Sequence, residues 1–313
     1  MESIRGKHIF ENAVVRDEAT VSGEAVVSGN AVVADNAEVR DNAVVADKVR
    51  VYSNAVVRGN ARVTGNAVVA GNAEVEGNAE VEGNAVVYGR ATVSGDAVVY
   101  GNAVVYGNAV VSGEAVVRGN AFVRDKAIVE GHSLVTDNAV VEGDARIGDN
   151  AVVEGDARIG DDAEVGNEAV VSGNAVVADK ARVTDNAVVA GNARVADKAR
   201  VYSNAFVTGE AYVYGEATVA DEATVRDRAV VSGKAIVGGN AVVAGEATVA
   251  DNAVVAGEAT VAGRATVFGN AVVYGKARIG GDAVILGGRW DGSEGEITTG
   301  RWIAPGVPAP EQE

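Results

Sequence analysis

No cysteine occurs in the 313 residues, which excludes disulfides, thiol nucleophiles and thiolate metal sites together. Histidine is nearly absent as well: there are two, His8 and His132. A zinc site of three histidines therefore cannot be assembled within one chain. All three prolines, Pro305, Pro308 and Pro310, lie beyond residue 304, so no proline breaks the body of the chain. Aromatic residues make up 4%, too few for an ordinary globular core. No apolar run approaches the length of a membrane-spanning helix, and membrane is not an expected partner. Positive charge is also in deficit. Against 44 Asp and Glu stand 27 Lys and Arg, a net charge of −17. That is the wrong sign for a phosphate backbone, so nucleic acid is not an expected partner either.

What is present is one pattern, repeated. Ala103-Val104-Val105-Tyr106-Gly107-Asn108 is followed by Ala109-Val110-Val111-Ser112-Gly113-Glu114 and Ala115-Val116-Val117-Arg118-Gly119-Asn120. From Ala13 to Ala283 a small residue recurs at every sixth position, giving 46 units in frame with no insertion or deletion; only Val49 and Ser133 replace the alanine. Two residues on stands Val, or Ile at 147, 159, 279 and 285. The first and third residues of a unit share one face of an extended strand and the second faces the other way. The last three are turn chemistry, because Gly, Asn and Asp tolerate positive φ. Helix is excluded by the β-branched content and by a turn residue at every sixth place. Short strands with identical corners must close into a climbing coil, and a fixed short period marks one solenoid rather than several domains.

The unit, small-x-aliphatic-Gly-Asp/Asn-x, resembles the hexapeptide repeat of left-handed parallel β-helix proteins. Arg146-Ile147-Gly148-Asp149-Asn150-Ala151 and Arg158-Ile159-Gly160-Asp161-Asp162-Ala163 are near-ideal copies. The resemblance implies an all-β, single left-handed coil of triangular section, with 18 residues per turn. Forty-six units then give about 15 turns, and at ~4.8 Å per turn a rod about 70 Å long. Residues 1–12 are expected to cap the start, 13–286 to form the coil, 287–303 to cap the end and 304–313 to be a flexible tail. In the end cap, Arg289-Trp290 and the stretch 296–303 are expected to form a hairpin or crossed strands around the turn Asp291-Gly292-Ser293-Glu294-Gly295. Trp290 or Trp302, or both, would cover the last apolar triangle; a Trp pair that binds a ligand or partner is the other reading. The start, Met1-Glu2-Ser3-Ile4-Arg5-Gly6, has no apolar signal-peptide core, so a cytoplasmic or virion-associated location is expected.

Reading every eighteenth residue sorts the outward positions into columns. One holds seven successive apolar residues, Val98, Val116, Leu134, Val152, Val170, Val188 and Phe206, a stripe about 29 Å long at ~4.8 Å per turn. A contiguous apolar stripe is a candidate contact surface, here for a homo-oligomer; the alternative is that Val is simply a good outward strand former. A second column holds Val68, Val86, Val104, Phe122 and Val140, and a third is more charged. One corner column places Asn66, Asn84, Asn102, Asn120 and Asn138 on successive turns, either as a side-chain ladder or only for their backbone conformation. The stretch 35–59 is matched by 185–209, both containing Ala-Asp-Lys-x-Arg-Val-Tyr-Ser-Asn-Ala. That offset is not a whole number of turns, so the two copies face different ways, as suits a generic rod.

Chemistry is sparse. Many members of the resembling family are trimeric acyltransferases that use acyl-coenzyme A and a catalytic histidine, and usually carry an inserted loop and a C-terminal helix. Neither the loop nor the helix is legible here. His132 is the candidate catalytic residue, with Glu114 and Asn150 in its column; Ser133 replaces the small inward alanine and is expected to point away from it. Weak calcium binding at the acidic corners lacks a regular acidic spacing. The threonines are too dispersed for an ice-binding ladder, and the corner Lys and Arg dilute any mimicry of DNA. No cofactor or metal is expected, and an enzyme is the less favoured reading. The expected function is a non-catalytic scaffold or spacer rod, the alternative an acyl-coenzyme A dependent acyltransferase or its inactive descendant.

Overall fold

The computed structural model describes residues 8–308. Each hexapeptide contributes a two-residue strand, such as Val104–Val105. The first residue faces outward and is mostly half-buried; the second points inward. The preceding alanine also points inward, and nearly all of these inward Ala, Val and Ile side chains are fully buried. The expected alternation is therefore met, and Ala and Val, with a few Ile, fill nearly all of the core.

The corner is made by the fifth residue of the unit. From Asp17 to Gly281 every sixth residue has positive φ, whether it is Gly, Asp, Asn or Ser. This left-handed residue turns the chain by one face, and its short side chains are those that tolerate the conformation. Alternate amides then bond upward to the next turn. Glu80 N–H donates to Ala97 O at 2.9 Å, Glu82 N–H to Val99 O at 2.9 Å and Asn84 N–H to Gly101 O at 2.7 Å.

The chain divides into two compact units between residues 156 and 157. In the first, successive strands go to three different parallel sheets, beginning at Val14–Val15, Thr20–Val21 and Val26–Val27. Pairing is between residues 18 apart, as in Val14↔Val32, Thr20↔Glu38 and Val26↔Val44. Ile9 forms a parallel bridge with Val27, so the aliphatic slot is occupied before the first full unit. Residues 1–7 of the expected N-terminal cap lie outside the described residues.

The second unit is built alike, with Arg158↔Val176, Glu164↔Arg182 and Val170↔Val188 opening its three sheets. Its end is not the hairpin that was one of the two expected forms. Arg289–Trp290 and Glu296–Ile297 do not form a hairpin with each other. They pair in parallel with Val272–Val273 and Arg278–Ile279, on different sheets. Arg301–Ala304 pairs in parallel with Val284–Ile285. The segment therefore makes one more turn, out of the six-residue frame. Trp290 lies beside Val273 in the pairing, Ile297 beside Ile279 and Trp302 beside Ile285, so each continues the inward column. A fully buried Trp290 fills space that Ala and Val fill elsewhere. The hairpin lies later, where Val307–Pro308 runs antiparallel to Arg301–Ala304. Of the expected tail, Ala304, Val307 and Pro308 are thus paired across a turn at 305–306, and 309–313 lie outside the described residues. With this added turn the chain makes about 16 turns of 18 residues, one more than the hexapeptide frame alone supplies.

Candidate functional site

Most polar groups at the corners are used to join one turn to the next. Where the left-handed residue is Asp, its carboxylate accepts the amide of the corner residue 18 further on. Examples are Asp35 to Ser53 N at 2.9 Å, Asp47 to Gly65 N at 3.0 Å, Asp197 to Gly215 N at 2.9 Å and Asp221 to Gly239 N at 2.8 Å. The sequence shows these residues only as turn formers; the bond becomes visible once 18 is known to be one turn. The Asn column is a ladder: Asn66, Asn84, Asn102 and Asn120 each donate to the next Asn at 3.0–3.1 Å, and Asn138 donates to Asp156 at 2.9 Å.

On the flat faces, the residue after the inward aliphatic points outward beside the strand column. Aromatics and arginines pair there in a way that residue counting missed. Tyr88 and Tyr106 stack with ring centroids 5.0 Å apart, and Arg124 donates to Tyr106 Oη at 3.1 Å and pairs with Glu142. On another face Arg118 donates to Tyr100 Oη at 2.9 Å and to Thr136 Oγ1 at 3.1 Å. The phenol oxygens raise the pKa of both guanidiniums above its already high ordinary value.

The predicted apolar stripe is placed as follows. In the first unit Val98, Val116, Leu134 and Val152 are paired rung to rung and all are half-buried. In the second unit Val170, Val188 and Phe206 are likewise paired; Phe206 is 48% exposed.

His132 and Glu114 stand on adjacent turns, as their column requires, with Nδ1 3.0 Å from Oε2; both side chains are about 60% exposed. Ser133 is fully buried and its hydroxyl donates to Glu130 O at 2.8 Å. A triad of these three residues is therefore not assembled, because the serine hydroxyl is on the core side of the sheet and the pair is on the outside. The two tryptophans are packed on each other edge to face, with centroids 6.2 Å apart. Their indole N–H groups donate to Gly287 O at 2.7 Å and Thr299 O at 2.9 Å. Both indole donors are spent within the last turn, as suits a cap.

Two grooves lie on the surface of the described residues. One groove of about 390 Å³ lies in the first unit over Ala34, between Arg16, Arg50 and Tyr52. Another of about 350 Å³ lies in the second unit along the corner residues Asp161, Asp179 and Asp197 with Lys180 and Lys198. Among the described residues no group of three or more His, Cys, Asp or Glu is arranged to hold a metal ion. No helix among them is long and apolar enough to cross a membrane.

Residues 138–173 match the family described as bacterial transferase hexapeptide (six repeats). Residues 85–101 and 99–113 match the YdcK beta solenoid repeat. No curated protein matches the chain significantly. These matches fall inside the in-frame stretch and agree with the coil of three parallel sheets. The chain is a hexapeptide-repeat protein, a left-handed β-solenoid of unbroken frame.

Proposed function

We propose that this chain is a non-catalytic structural element, a rigid spacer or scaffold rod that serves within a larger assembly such as a phage tail or cell-envelope structure. The observation that supports this most is the unbroken frame. From Ala13 to Ala283 no residue is inserted that could build a wall around a substrate. Corner side chains, which would otherwise be free to bind ligands, are bonded from turn to turn. Within each unit, identical rungs bonded turn to turn support one another, which is what a spacer requires.

Calorimetric titration with coenzyme A and acetyl-coenzyme A tests the reading. No heat of binding is expected, and none of the histidine chemistry of an acyltransferase. Binding that is weakened by His132→Ala would overturn the spacer reading in favour of an acyltransferase or its descendant.

A further inference from the structure

The face that carries Val116, Leu134 and Val152 has a second outward row beside them: Arg118, Thr136 and Glu154, again one per turn. Across these three turns the two rows hold one cation and one anion. The two are related symmetrically about the middle turn. Arg118 lies one turn before Leu134 and Thr136, and Glu154 one turn after. They cannot pair within one chain, since Thr136 stands between them and accepts from Arg118 Nε at 3.1 Å. Arg118 is further held by Tyr100 and feels the nearby Asp137 carboxylate, but among the described residues it forms no ion pair, and Glu154 has no hydrogen-bond or ion-pair partner. Elsewhere, Arg62–Glu80, Arg182–Glu164 and Arg264–Asp282 pair along their columns, which is what opposite charges on adjacent turns do when nothing stands between them.

We propose that this face binds a second copy of the same chain, antiparallel, about a twofold axis that runs along the strands at the level of Leu134 and Thr136. Such an axis keeps each row over its own row and reverses the order of turns. Leu134 then meets Leu134 of the second copy, Val116 meets Val152, and Arg118 of each copy meets Glu154 of the other. Both unpaired charges are satisfied by one operation, and the apolar row is covered by itself. A twofold axis along the coil instead would set each row over the other row of the same turn. Arg118 would then face Val116 and Glu154 would face Val152, leaving both charges desolvated without a partner. Thr136 is 6% exposed, so the middle of the charged row is low enough for the faces to approach. The inference is independent of the spacer reading, since self-association and coenzyme A binding are measured separately.

Sedimentation equilibrium on the full chain, from micromolar to near-millimolar, is the first test. A dimer is expected. Arg118→Glu and Glu154→Arg should each raise its dissociation constant at least about tenfold, and the double exchange should restore it. Circular dichroism checks that each variant is folded. The absence of native cysteine allows a second test that does not depend on the charges. With a short bismaleimide, Leu134→Cys should cross-link to itself, and Val116→Cys should cross-link only when mixed with Val152→Cys. A monomer at every concentration, a dimer indifferent to the single exchanges, a double exchange that fails to rescue, or self-linking of Val116→Cys would each overturn the proposal.

Discussion

At the scale of the residue, one backbone conformation decides the fold, and the chain meets it in two ways. Gly29 and Asp47 occupy the same corner column on successive turns, both with positive φ. A Cβ placed on Gly29 would stand 2.7 Å from Asp47 N, so Gly29→Ala combines a strained conformation with a backbone clash. A loss of about 1–3 kcal/mol is expected by chemical denaturation. Asp47 offsets its own strain by accepting Gly65 N–H. Asp47→Ala keeps the strain and loses the bond, about 1–2 kcal/mol, whereas Asp47→Gly loses the bond but relieves the strain and should cost less. Near the end of the chain, the Ser293 hydroxyl and amide hold the Asp291 carboxylate below its ordinary range. A lowered folded pKa means that this turn is fully stabilised above about pH 4 and loosens as pH falls through the lower folded value. Carbon NMR of the Asp291 carboxyl should show this midpoint, and Ser293→Ala should raise it.

At the scale of the element, a strand of two residues has almost no stability alone, so each rung depends on its neighbours. The Asn ladder adds a side-chain bond per turn to the backbone bonds. Asn102→Ala removes two of these, the one accepted from Asn84 and the one donated to Asn120, each 3.0 Å. A cost of about 1 kcal/mol is expected because the ladder is exposed. The last turn is held differently. Trp290 is fully buried where the column otherwise carries valine or isoleucine, and its removal leaves a large void. Trp290→Ala should cost about 3–5 kcal/mol. In a stack of rungs the loss should appear first as rapid amide exchange in residues 272–304, while exchange in the first unit stays unchanged. Uniform acceleration throughout would contradict this picture of nearest-neighbour stability.

At the scale of the molecule, the turn of 18 residues is the unit that can be added or removed. Excising residues 103–120 removes one full turn and brings Asn102 directly before Ala121, as it stood before Ala103. Every face then keeps its column, Asn84 and Asn102 still pair, and Asn102 comes beneath Asn138 to rejoin the ladder. The product should fold with a melting temperature within a few degrees of the parent. Excising only 103–108 also preserves the inward pattern, since all hexapeptides share it. However, it turns every later column by one face. The Asn ladder would break at the junction, and the Val116 row would no longer continue the Val98 column. A larger fall in melting temperature than for the 18-residue excision is expected, and the reverse order would argue that the side-chain columns contribute nothing.

Much of this was legible in the amino-acid sequence. Ala103 and Val105 inward, Val104 outward and Gly107 at the corner follow from a two-residue period and from the few residues that accept positive φ, because both rules act within one hexapeptide. The Asn column could be found by counting 18, although counting alone could not distinguish a bonded ladder from a repeated turn residue. After Ile285 the frame is lost, and local rules alone pointed to a hairpin or crossed strands made by Arg289–Trp290 and the stretch 296–303. The growing edge of three sheets instead drew the segment into another parallel turn, because each edge strand offers unpaired amides and carbonyls that the next segment can satisfy. The placement of Ser133 away from His132 was foreseen from its slot. The isolation of Arg118 from Glu154 was not, since whether two charges on one row meet depends on the side chain that lies between them and on the hydrogen bonds it already makes. The sequence by itself determined the coil, its period and its inward column, all set by interactions within six residues. Tertiary structure alone decided the last turn, the carboxylate-to-amide bonds and the pairing of side chains across turns, which depend on what lies one full turn away.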